Sequence, residues 1–202
     1  MQIACLDLEG VLVPEIWINV AERTGIEALR LTTRDEPDYD KLMKHRLAIL
    51  AARGIGLPDI QAVIAKLRPL DGAAEFVDWL RERHPVVILS DTFAEFAAPL
   101  MRQLGWPTLL CHSLAVDAAG RITDYRLRMP DQKRSAVKAF HELRYGVIAA
   151  GDSYNDIPML LEADAGILYR PPENVVREYP QFPVAQEYAA LRTLFERAAA
   201  PK

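Results

Sequence analysis

Three stretches of the chain run apolar through both alternating sets of positions and then stop at a carboxylate: QIACLDL (2–8, with Asp7), VVILSD (86–91) and YGVIAAGD (145–152). Runs without polar alternation read as strands buried on both faces, which is the pattern of a parallel sheet covered by helices. TLLC (108–111) and AGILY (165–169) are shorter candidates of the same kind. Amphipathic helical periodicity fills the intervals at about 72–83, 93–104, 133–143 and 155–163, and EYAALRTLFERAAA adds a last helix at the C-terminus. Strands alternating with helices predict an α/β fold, an open parallel sheet with right-handed crossovers.

Two segments break this rhythm. SLAVDAAGRITDYRLR (113–128) holds two short alternating runs around DAAG and predicts a β-hairpin. Residues 13–70 show helical patterns and no strand. Ile16, Trp17, Val20 and Ala21 share one face, with Gly25 as C-cap. Tyr39, Leu42, Met43, Leu47 and Leu50 share a second face, and Leu57, Ile60, Ile64 and Leu67 a third, before RPLDG (68–72) turns the chain back. We therefore expect a helical cap at 13–70, inserted after the first strand of a core made from 1–12 and 71–202.

Composition narrows the function classes. Of 202 residues, 24 are basic and 28 acidic, for a formal net charge of −4. Nucleic acid and anionic membrane surfaces require a basic footprint, so neither is the expected partner. No run reaches the ~18 apolar residues of a membrane span, and the N-terminus lacks the features of a secretion signal. The two cysteines, Cys5 and Cys111, read as reduced core residues of a cytoplasmic protein. No GxxxxGK[ST] loop is present, which argues against a nucleotide-driven kinase.

The carboxylates carry the chemistry. In an open parallel sheet, ligands bind beyond the C-terminal ends of the strands. Asp7, Asp91 and Asp152 fall at or just past three such ends, so the fold would gather them along one edge. Acids crowded at the rim of an apolar core repel one another and lose hydration. A hard cation such as Mg²⁺, which takes oxygen ligands and substrate phosphate, removes that penalty. The inserted helices would cover the site and exclude water.

At these residues the chain resembles the haloacid dehalogenase-type phosphatases. DLEGV (7–11) is similar to their DxDGT/V signature, LSDT (89–92) to their Ser/Thr motif, Lys133 in DQKR to their lysine, and GDSYND (151–156) to their GDxxxD motif. Four motifs in the right order imply a Rossmannoid core with a cap after the first motif. Within that family the chain looks closest to phosphoserine phosphatases, and to the short bacterial group that also acts as phosphoserine:homoserine phosphotransferase. CLDLEGVLVPEIW, PDYDKLMKHRLAIL and VIAAGDSYND carry this likeness.

The resemblance implies a role for each residue, against a plainer alternative. Asp7 would be the nucleophile that forms an aspartyl-phosphate, rather than a strand-end cap. Glu9 would be the general acid and base, with its backbone carbonyl on Mg²⁺; the family usually has Asp there. Asp152 would be a metal ligand, and Asp156 would act one shell out. Ser90 and Lys133 would bind phosphate, Ser90 helped by N–H groups at the start of the next helix. Asp91 and Thr92 stand where phosphoserine phosphatases commonly have glycines. A carboxylate so near phosphate is unfavourable, so the Asp91 backbone N–H, not its side chain, is expected to face the ligand. Asn155 would donate to phosphate or substrate. Arg46 sits in the middle of an apolar stripe and needs an anionic partner. That partner would be the substrate carboxylate, or else Asp35 or Asp38 in a structural ion pair. Glu15 would hold the substrate ammonium. A monomer or a homodimer suits this reading, and a binding-only relative would show affinity without turnover.

Overall fold

The computed structural model describes residues 1–32, 35–36 and 38–200. Pro37, the first residue of PDYDKLMKHRLAIL, lies outside them. Seven strands form one sheet in the order β4-β3-β2-β1-β5-β6-β7. They are β1 (Gln2–Leu6), β2 (Val86–Phe93), β3 (Thr108–Val116), β4 (Ile122–Arg126), β5 (Gly146–Gly151), β6 (Ala165–Tyr169) and β7 (Val184–Ala185). All neighbours pair in parallel except β3 and β4, which form the expected antiparallel hairpin.

The double-sided apolar runs are explained by the packing. Ala4 and Leu6 face one apolar cluster, while Ile3 and Cys5 face another. On the first face lie α4 (Ala73–Arg81), α5 (Ala94–Gln103) and α9 (Tyr188–Ala199). On the second lie α6 (Gln132–Glu142), α7 (Ile157–Glu162) and α8 (Glu173–Glu178). Cys5 is fully buried and Cys111 half-buried, and both are free thiols.

Between β1 and α4 the chain forms α1 (Ile16–Thr24), a short 3₁₀ turn (Glu27–Arg30), α2 (Tyr39–Arg53) and α3 (Leu57–Ile64). Gly25 ends α1 in the left-handed conformation (φ 69°), as its position predicted. These helices share a continuous core with the sheet: Val20, Met43, Leu50, Ile60 and Ile64 belong to the same cluster as Ala4 and Leu6. They are also tied to the hairpin. Leu57 N–H donates to Gly120 O (2.8 Å), and the Tyr125 hydroxyl donates to Asp40 Oδ1 (2.6 Å).

Three readings change. β2 runs on past Asp91 to Phe93, with an irregular register between Leu89 and Phe93, before α5 begins close to its expected start. TLLC and the first hairpin arm are one strand, because 108–116 pairs with β2 at one end and β4 at the other. β7 and α8 escaped the reading; both are too short for a periodic pattern to register.

Candidate active site

The site forms where β1, β2 and β5 end side by side. Leu6 pairs with Ile88 and with Ala150, and Asp7 N–H donates to Ala150 O (2.9 Å). Asp7, 4% exposed, is thus fixed at the rim of the central strand. Lys133, in the first turn of α6, reaches under it: Nζ lies 2.8 Å from Asp7 Oδ1 and 2.7 Å from Asp156 Oδ1. Both partners of the lysine are buried, Asp156 completely.

Asp156 also builds the loop after β5. Its Oδ2 accepts from the N–H groups of Asp152 (2.9 Å) and Ser153 (3.2 Å). The Ser153 hydroxyl donates to Asn155 Oδ1. Two glycines make the arrangement possible. A Cβ on Gly151 would come within 2.4 Å of the Asp156 side chain, and one on Gly10 (φ +78°) within 2.6 Å of the Asp152 carboxylate. The DLEG turn therefore presses its backbone directly against Asp152.

Oxygens of Asp7, Asp152 and Asp156 all lie within 4.8 Å of one another. One lysine cannot neutralise three acids. Burial, then Asp156 and Asp152 nearby, push Asp7 well above the usual carboxylate range, with Lys133 opposing. Burial, followed by Asp156 and Glu15, pushes Asp152 up to about 7. Burial disfavours the charge on Lys133, yet Asp156, Asp7 and Asp91 together hold it protonated. An all-oxygen donor set with surplus negative charge fits a hard divalent cation.

Glu9 follows two residues after Asp7 and reaches α1. One of its oxygens accepts the N–H of Ile16 (2.8 Å), the first residue of α1, and burial and Glu15 raise its carboxyl to about 7. Ser90 is 2% exposed inside β2; its Oγ accepts the Thr92 N–H (3.3 Å).

Asp91 departs from expectation. Its side chain is not turned away; it lines the cavity and takes hydrogen bonds from Gln132 Nε2 (3.0 Å) and Asn155 Nδ2 (3.3 Å). Its carbonyl accepts from the Tyr39 hydroxyl of α2 (3.4 Å). Burial alone would raise this acid, but Lys133, His112 and the two amides hold it well below the usual range. Sequence reading missed His112 and Gln132. A histidine after an apolar strand (TLLCH) was the only available sign, and nothing marked the glutamine.

The cavity above these groups has a volume of about 840 Å³ and is walled on the far side by Glu15, Trp17, Tyr39 and Arg46. Arg46 is only 6% exposed. Its Nη2 donates to Leu31 O (2.7 Å), its Nη1 approaches Met43 Sδ (3.6 Å), and its guanidinium lies over the Trp17 ring at 4.5 Å. Among the described residues its Nε has no partner. The ion pair with Asp38 does not form, because Asp38 caps α2 through the N–H groups of Asp40 and Lys41. Asp35 accepts from Thr32 instead. Burial lowers Arg46 to about 10, which leaves it charged at neutral pH. Glu15 is exposed at the cavity wall.

Residues 9–161 match the family model described as haloacid dehalogenase-like hydrolase. The chain is 66% identical over 198 residues to phosphoserine phosphatase ThrH of Pseudomonas aeruginosa, covering 98% of this chain and 97% of that one. It is 65% identical to a phosphoserine phosphatase of Pseudomonas syringae pv. tomato, over 98% and 84% of the two chains. Among solved structures, a phospho-aspartyl intermediate analogue of phosphoserine phosphatase superposes with a TM-score of 0.78 at 18% identity, over 97% of this chain and 98% of that one. That likeness is one of fold.

Proposed function

Because this chain belongs to the haloacid dehalogenase-like hydrolases, we propose that it is a Mg²⁺-dependent phosphoserine phosphatase that works through an aspartyl-phosphate at Asp7. The carrying observation is the Asp7–Lys133–Asp156 cluster, a buried carboxylate at a strand end with a fixed cation beside it. Asp7 attacks phosphorus as the bond to the seryl oxygen breaks. The leaving oxygen takes the proton held by Glu9, whose carboxyl near about 7 is poised both to give and to take one. Glu9 then removes a proton from water as that water attacks phosphorus, and Asp7 and inorganic phosphate are released. Lys133, Ser90, the Asp91 N–H and Asn155 hold the phosphoryl group in this reading.

Asp7, Asp152 and the Glu9 carbonyl would hold Mg²⁺, with Asp156 fixing their loop. When bound, the ion supplies positive charge that keeps Asp7 ionised and offsets charge on the phosphoryl oxygens. Residues 13–70 serve as the cap over a core of 1–12 and 71–202. Arg46 receives the substrate carboxylate, a reading supported by an Nε that has no partner among the described residues, and Glu15 its ammonium. Among the described residues no single helix is long and apolar enough to cross a membrane; we place the protein in the cytoplasm as a monomer or homodimer. The test is phosphate release from a panel of small phosphomonoesters, with and without chelator. Phosphoserine should lead the panel and chelator should abolish release; a different leader would overturn the substrate assignment.

The cavity volume favours a second reading. About 840 Å³ is near the upper end for small-molecule sites and more than one phosphorylated amino acid fills. The aspartyl-phosphate could then pass to a second alcohol, homoserine, in place of water. Phosphohomoserine should accumulate when both compounds are supplied, and its absence at every homoserine concentration removes this reading.

A further inference from the structure

Asp91 is an anion built into the wall of an anion site. Two of the groups around its carboxylate lie on its buried side. Gln132 is 3% exposed, and its Nε2 donates to both Asp91 Oδ1 and Ser90 O. Its own oxygen is gripped by Arg128 through Nε (3.2 Å) and Nη2 (2.9 Å), so the amide cannot turn over without losing both bonds. His112 is 5% exposed. Its Nδ1 accepts the Arg128 N–H (3.1 Å), which places the ring proton on Nε2, 3.6 Å from Asp91 Oδ1. A chain of donors thus fixes the carboxylate from behind.

The other two groups face the reaction. Asn155 Nδ2 is 3.3 Å and Lys133 Nζ 3.8 Å from Asp91 Oδ2, and both are phosphoryl donors in the function proposed above. We infer that Asp91 is a fixed counter-charge that competes with phosphate for these donors and so sets how readily inorganic phosphate leaves the site.

Every phosphate ligand meets the same repulsion. An amino-acid phosphate ester, however, also gains contacts at Arg46 and Glu15, whereas free phosphate has no organic portion to offset the cost. Asp91 therefore weakens substrate and product by one factor, and the product, with no other contacts, is the ligand left loosely held, which speeds clearance of the site. The side chain of Asp91 is 37% exposed, so its replacement leaves the core intact.

This inference rests on the phosphatase reading, and the test separates the two. Inorganic phosphate is titrated into the Mg²⁺-loaded wild-type, Asp91→Asn and Asp91→Ala proteins, with binding followed by calorimetry and product inhibition measured alongside; thermal melts check folding. Both variants should bind phosphate at least tenfold more tightly and show product inhibition strengthened by the same factor. Unchanged or weaker phosphate binding in folded variants overturns the inference while wild-type turnover preserves the phosphatase reading. A rise in KM confined to amino-bearing phosphates also overturns it, since Asp91 would then be an ammonium receptor. A wild-type protein that neither hydrolyses any phosphomonoester nor binds phosphate ends both.

Discussion

The two walls of the cavity differ in how their charges are satisfied. On the sheet side, Lys133 is bound to Asp7 and Asp156, and Asp156 uses its other oxygen to hold the loop that carries Asp152. On the helical side, Arg46 is nearly as buried, yet its guanidinium meets a carbonyl, a sulfur and an aromatic ring, and among the described residues its Nε has no partner. Leaving such a group unsatisfied costs on the order of 1–3 kcal/mol. The sheet side pairs its one cation twice and keeps a surplus of negative charge, whereas among the described residues no carboxylate forms an ion pair with the guanidinium of the helical side. On the proposed function, reaction chemistry and substrate choice are separated in space, and substitutions on the two walls should fail differently.

The largest effect belongs to the sheet side. Asp7→Asn removes the attacking oxygen's charge while keeping its shape, and kcat should fall by at least ~10³-fold for every phosphomonoester alike. Turnover within tenfold of wild type would remove Asp7 from the mechanism. Lys133→Met comes next. It should cost ~10²–10³-fold in kcat. It should also cost about 3–5 kcal/mol in stability, because Asp7 and Asp156 are left buried without their cation. A thermal melt unchanged from wild type would show that the triad contributes little to the fold.

The helical side should answer in KM. Arg46→Ala should raise KM for phosphoserine by ~10²-fold, the cost of one bidentate carboxylate contact. Phosphate esters lacking a carboxylate should be unaffected. Arg46→Lys should rescue little, since an ammonium cannot reproduce the planar fork. Equal losses for both ester classes would make Arg46 a structural residue and dissolve the contrast between the walls.

The contrast was unevenly legible in the sequence. Asp7 and Asp152 were visible because they end apolar strands, and backbone geometry then forces them together; Lys133 was visible through the order of motifs in the family it resembles. Arg46 was visible because a cation in an apolar helical stripe conflicts with its neighbours. The network behind Asp91 was not. His112 and Gln132 meet it only because β3 and α6 pack beside β2, and no local pattern encodes that proximity. Side-chain direction was likewise hidden: repulsion from phosphate argued that Asp91 should turn away, but four surrounding groups hold it in place. The extension of β2 past Asp91 escaped for a related reason, because it depends on the pairing of Phe93 with His112 of β3, which no local pattern encodes.

The smallest effect tests the surplus charge. Without cation, Glu9 and Asp152 titrate near about 7, above their ordinary values of 4.5 and 3.8. The folded chain therefore keeps protons that the unfolded chain releases, and this contribution to stability is lost as pH rises from about 4 to about 7. Mg²⁺ should stabilise the protein more at pH 8 than at pH 5, by several degrees in Tm at about 2–4 °C per kcal/mol. Equal Mg²⁺ stabilisation at both pH values would place the ion away from these acids.

The claim beneath the whole account is that phosphorus becomes bonded to the carboxylate of residue 7. Acid-quenching the protein during turnover of phosphoserine, followed by reduction of the acyl phosphate with borohydride and peptide mass spectrometry, tests it directly. The account predicts modification at Asp7 that disappears when substrate is withheld. Turnover with no modified residue, or modification on any other side chain, would contradict it.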